Sequence, residues 1–426
     1  MNSLLRIPYT LAGAAAHALV SAVPAGDSKF RRGVSVRRRI VERYARWGAD
    51  SRDSSRPLVW FHAPSVGEGL QALPVVELIR SRRADVQIAY TFYSPSAEAF
   101  SKSVPADFVD YLPFDTFADA HAIVSALRPT ALVFSKLDIW PALTERAAAM
   151  GVAVGVISAT LPESSGRRGV FARALLGDAY RSIERVGAID QKDGDRLHEQ
   201  GVRRDRISVT GDTRYDQVWA RAQQPRSSLV QSLRSARPTL VAGSTWPSDE
   251  ENLLPSWLRI RDKIPDAQLV IAPHEVSSSH LQSIESWARD HALRLARIHA
   301  DDAPDADVIL VDRYGILGDL YALADVAYVG GGFQSAGLHS VLEPAAFGVP
   351  VLFGPRHEKS RDAARLIEAG GGAAITREAD LSLRLADWLG SVAARDVAGT
   401  SARGMVQSEL GAAERSFALV SALLAR

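Results

Sequence analysis

The chain has 426 residues, 50 Lys and Arg against 49 Asp and Glu, a formal net charge of +1, 46% apolar residues and no cysteine. That length and composition suit two globular domains with cores of their own and exclude a disordered or fibrous chain. The lack of cysteine excludes a disulfide framework and a cysteine metal site, and it agrees with a cytosolic face.

The near-neutral total hides a basic start. Through Pro57 there are eleven Lys and Arg against four Asp and Glu, so residues 1–57 carry +7 and the rest −6. Within them Ile7 to Ala25 has no formal charge, contains Pro8, His17 and Pro24, and is followed by a basic run from Lys29 to Arg46. Three readings fit this segment: a membrane anchor with its basic flank on the cytoplasmic side, a signal peptide cleaved after Ala25 with Val23 and Ala25 as its small residues, or a helix packed on the body. Membrane association is favoured, because Arg31, Arg32, Arg37, Arg38, Arg39 and Arg43 suit an anionic lipid surface. Nucleic acid is not expected as a partner, since the run lacks interleaved aromatics and the body is slightly acidic.

From Leu58 apolar runs and amphipathic segments alternate. Leu58–Phe61, Gln87–Phe92, Ala131–Phe134, Val152–Ile157, Val186–Ile189 and Ile207–Thr210 read as strands of a parallel sheet covered on both faces. In LVWFHAPSVGEGLQALPVVELI, from Leu58, a small-residue turn joins the first strand to a helix, and Glu68 stands at that junction. An acid there can complement the helix dipole, or it can be a general base, because turns at the carboxyl ends of parallel strands are where such sheets bind ligands. The chain turns polar over residues 218–237, with Gln223, Gln224, Pro225 and Ser227, which marks a linker.

A second series follows: Thr239–Ala242, Leu269–Ala272, Val308–Val311, Val326–Val329, Val351–Phe353 and Ala373–Ile375. The stretch GGFQSAGLHSVLEPAAFGVPVLFGP from Gly331 reads as glycine turn, short loop, helix opening at Ser340, and strand. Unpaired N–H groups at such a junction suit a phosphate, and Glu343 is placed to accept bonds from ribose hydroxyls. A purely structural turn explains the same residues. The domains expected are therefore 1–57, a basic and apolar segment; 58–217, Rossmann-like; 218–237, a linker; 238–403, nucleotide-binding; and 404–426, a terminal helix that crosses back to the first domain.

Eight segments in this order resemble the 3-deoxy-D-manno-octulosonic acid (Kdo) transferases of lipopolysaccharide assembly: FHAPSVGEG, YLPFD, LDIWP, ISATLPESS, VTGDTRYD, AGST, LGDLYALADVAYVGGG and LEPAAFGVPVLFGP. The resemblance spans roughly residues 30 to 375. It implies the α/β GT-B glycosyltransferase fold, two doubly wound Rossmann-like domains facing a cleft, and an inverting transfer of Kdo from CMP-Kdo to a lipid A precursor at the cytoplasmic face of the inner membrane. By resemblance Glu68 is the base; Gly243, Ser244, Thr245, His274, Gly331, Gly332, His339, Ser340 and Glu343 hold the nucleotide sugar; and Ser65, Lys136, Asp138 and Arg214 are acceptor or interdomain residues. No metal and no cofactor beyond the donor substrate is implied.

The departures gather at strand ends. Lys136 stands where the family has Glu, Asp138 where it has a second Glu, Trp246 where it has His, and Ser340 where it has Asn. The Pro-Arg-His after a strand is here Pro273, His274 and Glu275, which shifts the basic donor contact. These changes leave open a same-fold transferase with a different nucleotide sugar and a noncatalytic relative that binds a glycolipid or partner protein at the membrane. A sugar-nucleotide epimerase on the same fold fits the basic start less well.

Overall fold

The computed structural model describes residues 1, 3–22, 28–224, 228–335 and 337–425. The chain divides into two compact units, Met1–Gln217 with Leu410–Arg426, and Val218–Glu409.

The first unit is built on β1 (Leu58–His62), β2 (Gln87–Phe92), β3 (Phe108–Tyr111), β4 (Ala131–Ser135), β5 (Ala153–Ala159), β6 (Arg185–Ala188) and β7 (Ile207–Val209). They form one parallel sheet in the order β3-β2-β1-β4-β5-β6-β7. Every residue of β1, β2, β4 and β5 is buried, which is why these strands read as continuous apolar runs. β3, not expected from the sequence, is an edge strand of four residues with Val109 exposed, too short and mixed to stand out.

The helix Ser3–Ala22 lies against this unit through polar contacts. The Tyr9 hydroxyl donates to Asp115 at 2.5 Å, His17 Nε2 meets Asp119 at 2.5 Å, and a Cβ added at Gly13 would lie 2.6 Å from Thr116 Cγ2. Its apolar Ile7 and Leu11 point to solvent, 70% and 64% exposed. Among the described residues no helix is long and apolar enough to cross a membrane. The cleavage point expected after Ala25 lies outside the described residues, as do Pro225 and Ser227.

The stretch expected as a linker carries helical turns, Arg214–Gln223 and Ser228–Ser232, because Tyr215 and Val218 at helical spacing find buried places. The terminal segment is also not one helix. Val392–Gln407 ends, Gly411 turns the chain at φ 91°, and Ala412–Leu424 begins there, with Asp216 accepting from the N–H groups of Gly411 at 2.8 Å and Ala413 at 2.9 Å. Leu419, Val420 and Leu423 then enter the core of the first unit, so the last helix returns to it as expected.

The second unit repeats the plan with β8 (Thr239–Thr245), β9 (Gln268–Pro273), β10 (Leu295–Arg297), β11 (Val308–Leu310), β12 (Val326–Val329), β13 (Val351–Phe353) and β14 (Gly372–Ala374), in the order β10-β11-β9-β8-β12-β13-β14. Gly330, just past β12, donates to the Gly243 carbonyl at 2.9 Å, and a Cβ there would meet the Ser244 oxygen at 2.1 Å. Only glycine lets these two strand ends touch.

Asp115 also accepts the N–H groups of Ala142 and Leu143, at 2.9 and 2.8 Å, where the helix Pro141–Ala149 starts. Burial pushes its carboxyl from 3.8 up to about 6, against the pull of those bonds. The folded chain then binds this proton more tightly than the unfolded one, so the Asp115 contribution to stability is lost as pH rises through about 6. Asp115→Asn, which keeps an acceptor for Tyr9, should gain on the parent chain as pH climbs from 4 to 7. Thermal melts across that range test it, and a difference independent of pH would refute it.

Candidate active site

The strand order runs outward from β1 through β2 and β3 on one side and through β4 to β7 on the other, so the direction of winding reverses between β1 and β4 and their carboxyl ends stay open. Into this opening the turn after β1 sends Ser65 and Glu68, and the end of β4 sends Lys136 and Asp138. Together with Pro64, Leu137, Thr160, Pro162, Ser165 and Arg167 they line a cleft of about 470 Å³.

The run Ser65-Val66-Gly67-Glu68 has the spacing of a capping box at the start of the helix Val66–Arg82. It is used otherwise. Ser65 makes no side-chain cap; its hydroxyl donates to Glu68 Oε2 instead. Lys136 Nζ reaches the other oxygen, Oε1, at 3.2 Å, and Ser135 Oγ donates to the Glu68 carbonyl at 2.8 Å. The Glu68 side chain is 16% exposed, that of Lys136 47%. Burial would raise the Glu68 carboxyl, but the Ser65 hydroxyl and the Lys136 charge outweigh it and hold the group below its ordinary value. Glu68 is therefore a carboxylate at neutral pH, open to the cleft on one side. Arg167 is a further cation of the cleft, bonded to Asp138 at 2.8 Å and to the Leu137 carbonyl.

Beneath the turn the end of β1 is locked by a chain of hydrogen bonds. The Trp140 indole donates to His62 Nε2 at 3.0 Å, and His62 Nδ1 meets Thr91 Oγ1 at 2.9 Å. Burial pushes His62 down to about 3, so it is neutral, and the Trp140 bond assigns its proton to Nδ1. Trp140 also packs against the Tyr93 ring, 4.7 Å between centroids, so its role is packing and orientation.

In the second unit the reversal falls between β8 and β12. The turn after β8 holds Gly243, Ser244 and Thr245; the turn after β12 holds Gly331 and Gly332. Asp249, buried at the start of the helix Pro247–Lys263, ties the two together by accepting from Trp246 N at 3.0 Å, Gly331 N at 2.8 Å and Tyr328 Oη at 3.1 Å. Its neighbour Glu250 accepts from Thr245 Oγ1 at 2.8 Å and meets His280 Nε2 at 2.9 Å. Above the turns three rings stack: Trp246 on His274 with centroids 4.6 Å apart, and His274 on His339 at 4.4 Å. Burial, then the neighbouring His274, push His339 down to about 4; its Nε2 lies 3.3 Å from the Trp246 indole nitrogen and accepts from it.

Ser65, Glu68, Lys136 and Asp138 thus share one cleft. Arg214 does not line it: its guanidinium bonds Asp212 at 2.7 Å, and Asp212 binds Gln71. Gly243, Ser244, Thr245, His274, Gly331, Gly332 and His339 cluster at the reversal of the second sheet, but the helix expected from Ser340 opens only at Leu342 and runs five residues to Ala346. The chain stays irregular through Ser340 because His339 N folds back to the Gly330 carbonyl at 3.1 Å. Ser340 therefore lies outside the helix. Glu343 is in its first turn, where burial pushes its carboxyl up, Arg221 opposing and Asp319 adding. Sequence reasoning missed Arg167 and Asp249. Arg167 lies in a polar loop that reads as solvated, and Asp249 has the position of an ordinary first-turn acid.

A sequence model of the 3-deoxy-D-manno-octulosonic-acid transferase (kdotransferase) family matches residues 38–217. A 3-deoxy-D-manno-octulosonic acid transferase of Haemophilus influenzae is 26% identical over 403 residues, 92% of either chain. That of Bordetella pertussis is 28% identical, covering 87% of this chain and 89% of its own, and that of Aquifex aeolicus 25%, covering 80% and 88%. Among solved structures, UDP-GlcNAc 2-epimerase from Neisseria meningitidis bound to UDP-GlcNAc superposes with a TM-score of 0.63 at 14% identity, covering 87% of this chain and all of that one. A glycosyltransferase from Rickettsia africae does so at 0.54 and 12%, covering 87% and 99%. The structural likenesses fix the two-Rossmann, GT-B-like fold, and the sequence likenesses show that the chain is similar to 3-deoxy-D-manno-octulosonic-acid transferases over most of its length.

Proposed function

We propose that the protein is an inverting glycosyltransferase that moves Kdo, or a closely similar acidic sugar, from its CMP-activated form to a lipid A precursor in lipopolysaccharide core assembly. The observation that carries this reading is Glu68, a carboxylate kept ionised at the winding reversal of the first sheet and open to the cleft. In the reaction the acceptor hydroxyl gives its proton to a Glu68 oxygen as its own oxygen bonds to the anomeric carbon. The bond from that carbon to the donor phosphate oxygen breaks, and its electron pair leaves with CMP. Attack on the face opposite the leaving group inverts the configuration.

The second unit takes the donor. Gly243 to Thr245, Gly331 and Gly332 let the nucleotide approach the backbone closely, His274 and His339 border it, and Glu343 accepts from the ribose hydroxyls. Asp249 acts only through the two turns it joins. We assign no metal and no cofactor besides the CMP-sugar. Placement at the cytoplasmic face of the inner membrane rests on the N-terminal region, where exposed Ile7, Leu11 and Phe30 accompany the exposed Arg31, Arg32, Arg38 and Arg39. Arg37 and Arg43, expected at that surface, face the protein instead: Arg37 is buried on the Leu112 and Tyr93 carbonyls, and Arg43 bonds Asp110.

Three variants test this. Glu68→Gln should lower turnover with CMP-Kdo and a lipid A precursor by roughly 10²–10⁴-fold while calorimetry still detects CMP binding; retained turnover would overturn the role of Glu68. Glu343→Ala should abolish CMP binding in a protein that melts normally. Asp249→Asn leaves a turn N–H without its acceptor, so it should destabilise the fold by roughly 1–3 kcal/mol and weaken CMP binding, with the KM for the acceptor unchanged. A weakened acceptor KM with normal CMP affinity would reassign the second unit.

A further inference from the structure

Lys136 departs from ordinary backbone geometry. It follows the last residue of β4 with φ at 64°, in the left-handed region that strains a non-glycine residue. Its N–H is held there by the Ile157 carbonyl at 2.9 Å, so the sheet imposes the conformation. Glycine would adopt it without strain; the chain keeps a long cationic side chain instead. That side chain is the outer, half-exposed partner of an ion pair whose inner partner, Glu68, is the group the chemistry needs.

The other charges of the cleft do not compete for Glu68. Arg167 is committed to Asp138 and to the Leu137 carbonyl. From the sheet below, Tyr90 faces Glu68 with a neutral hydroxyl, since burial, then the Glu68 charge, raise it well above its ordinary value. Lys136 and Ser65 therefore set the charge state of Glu68. The pair has a cost for catalysis: a carboxylate neutralised by a lysine is a poor proton acceptor.

Resting on the transferase reading above, we propose that Lys136 changes partners during turnover, pairing with Glu68 in the empty cleft and with an anionic group of the acceptor, phosphate or carboxylate, in the filled one. The exchange leaves Glu68 without its cation only when an acceptor hydroxyl is in place to be deprotonated. Lys136 is thus a positioning residue for the base and a specificity residue for the acceptor, selecting molecules that carry a negative charge near the reacting hydroxyl.

The test has two independent readouts. In the full chain, carbon NMR of the labelled Glu68 carboxyl is followed against pH with and without inorganic phosphate. The parent should show a low midpoint that phosphate raises by about one pH unit or more, the size produced by removing an opposite charge at ion-pair distance. Lys136→Met should start at the raised midpoint and ignore phosphate, and Lys136→Arg should behave as the parent. A parent midpoint indifferent to phosphate, or one unchanged in Lys136→Met, overturns the exchange whatever the enzyme's activity. The other readout compares an acceptor with its phosphatase-treated form. Removing the phosphate should raise KM in the parent and leave Lys136→Met unaffected, and equal effects in both proteins would refute the proposed selectivity. Absence of transfer by the parent with either acceptor would instead defeat the transferase reading and leave the NMR result standing by itself.

Discussion

In each sheet the strand order runs outward in both directions from one strand, β1 in the first and β8 in the second, and the two candidate sites depend on that reversal. A parallel connection must cross a face of the sheet, and where successive connections leave in opposite directions the strand ends between them stay uncovered. At the opening of the first sheet stand Glu68 and Lys136, which are 68 residues apart in the chain. At that of the second sheet stand the turns after β8 and β12, packed so closely that Gly330 can carry no side chain. The ladders pin the positions from which these groups project.

Within this frame the same residue type takes opposite characters. Glu68 loses water to burial but gains a hydroxyl and an ammonium group, and the balance keeps it charged. Glu343 is buried with weaker compensation, and its carboxyl rises. Asp249 rises as well, burial outweighing the donors from Gly331, Trp246 and Tyr328, and it serves as the joint between two turns. Environment, more than residue type, decides which carboxyl stays ionised.

The N-terminal helix shows another effect of context. Helices on globular proteins normally bury their apolar stripe, yet Ser3–Ala22 turns Tyr9 and His17 toward the protein and leaves Ile7 and Leu11 outside. The uncharged stretch was visible in the sequence. Which face would be covered was not, because that was decided by Asp115, Thr116 and Asp119, about a hundred residues downstream.

The sequence by itself determined the central strands, since a parallel sheet buried on both faces demands unbroken apolar runs, and Gln87–Phe92, Val326–Val329 and Val351–Phe353 emerge with the limits expected of them. It also exposed the glycine turns and the SVGE junction, whose composition reflects local backbone needs. Edge strands β3 and β10, half exposed and short, left no such trace. The late start of the helix at Leu342, the pairing of Lys136 with Glu68, the Trp246–His274–His339 stack and the bridging by Asp249 were decided only by tertiary structure. Local sequence specifies periodicity and turn chemistry, whereas side-chain partnership at strand ends is set by which strands the sheet places side by side.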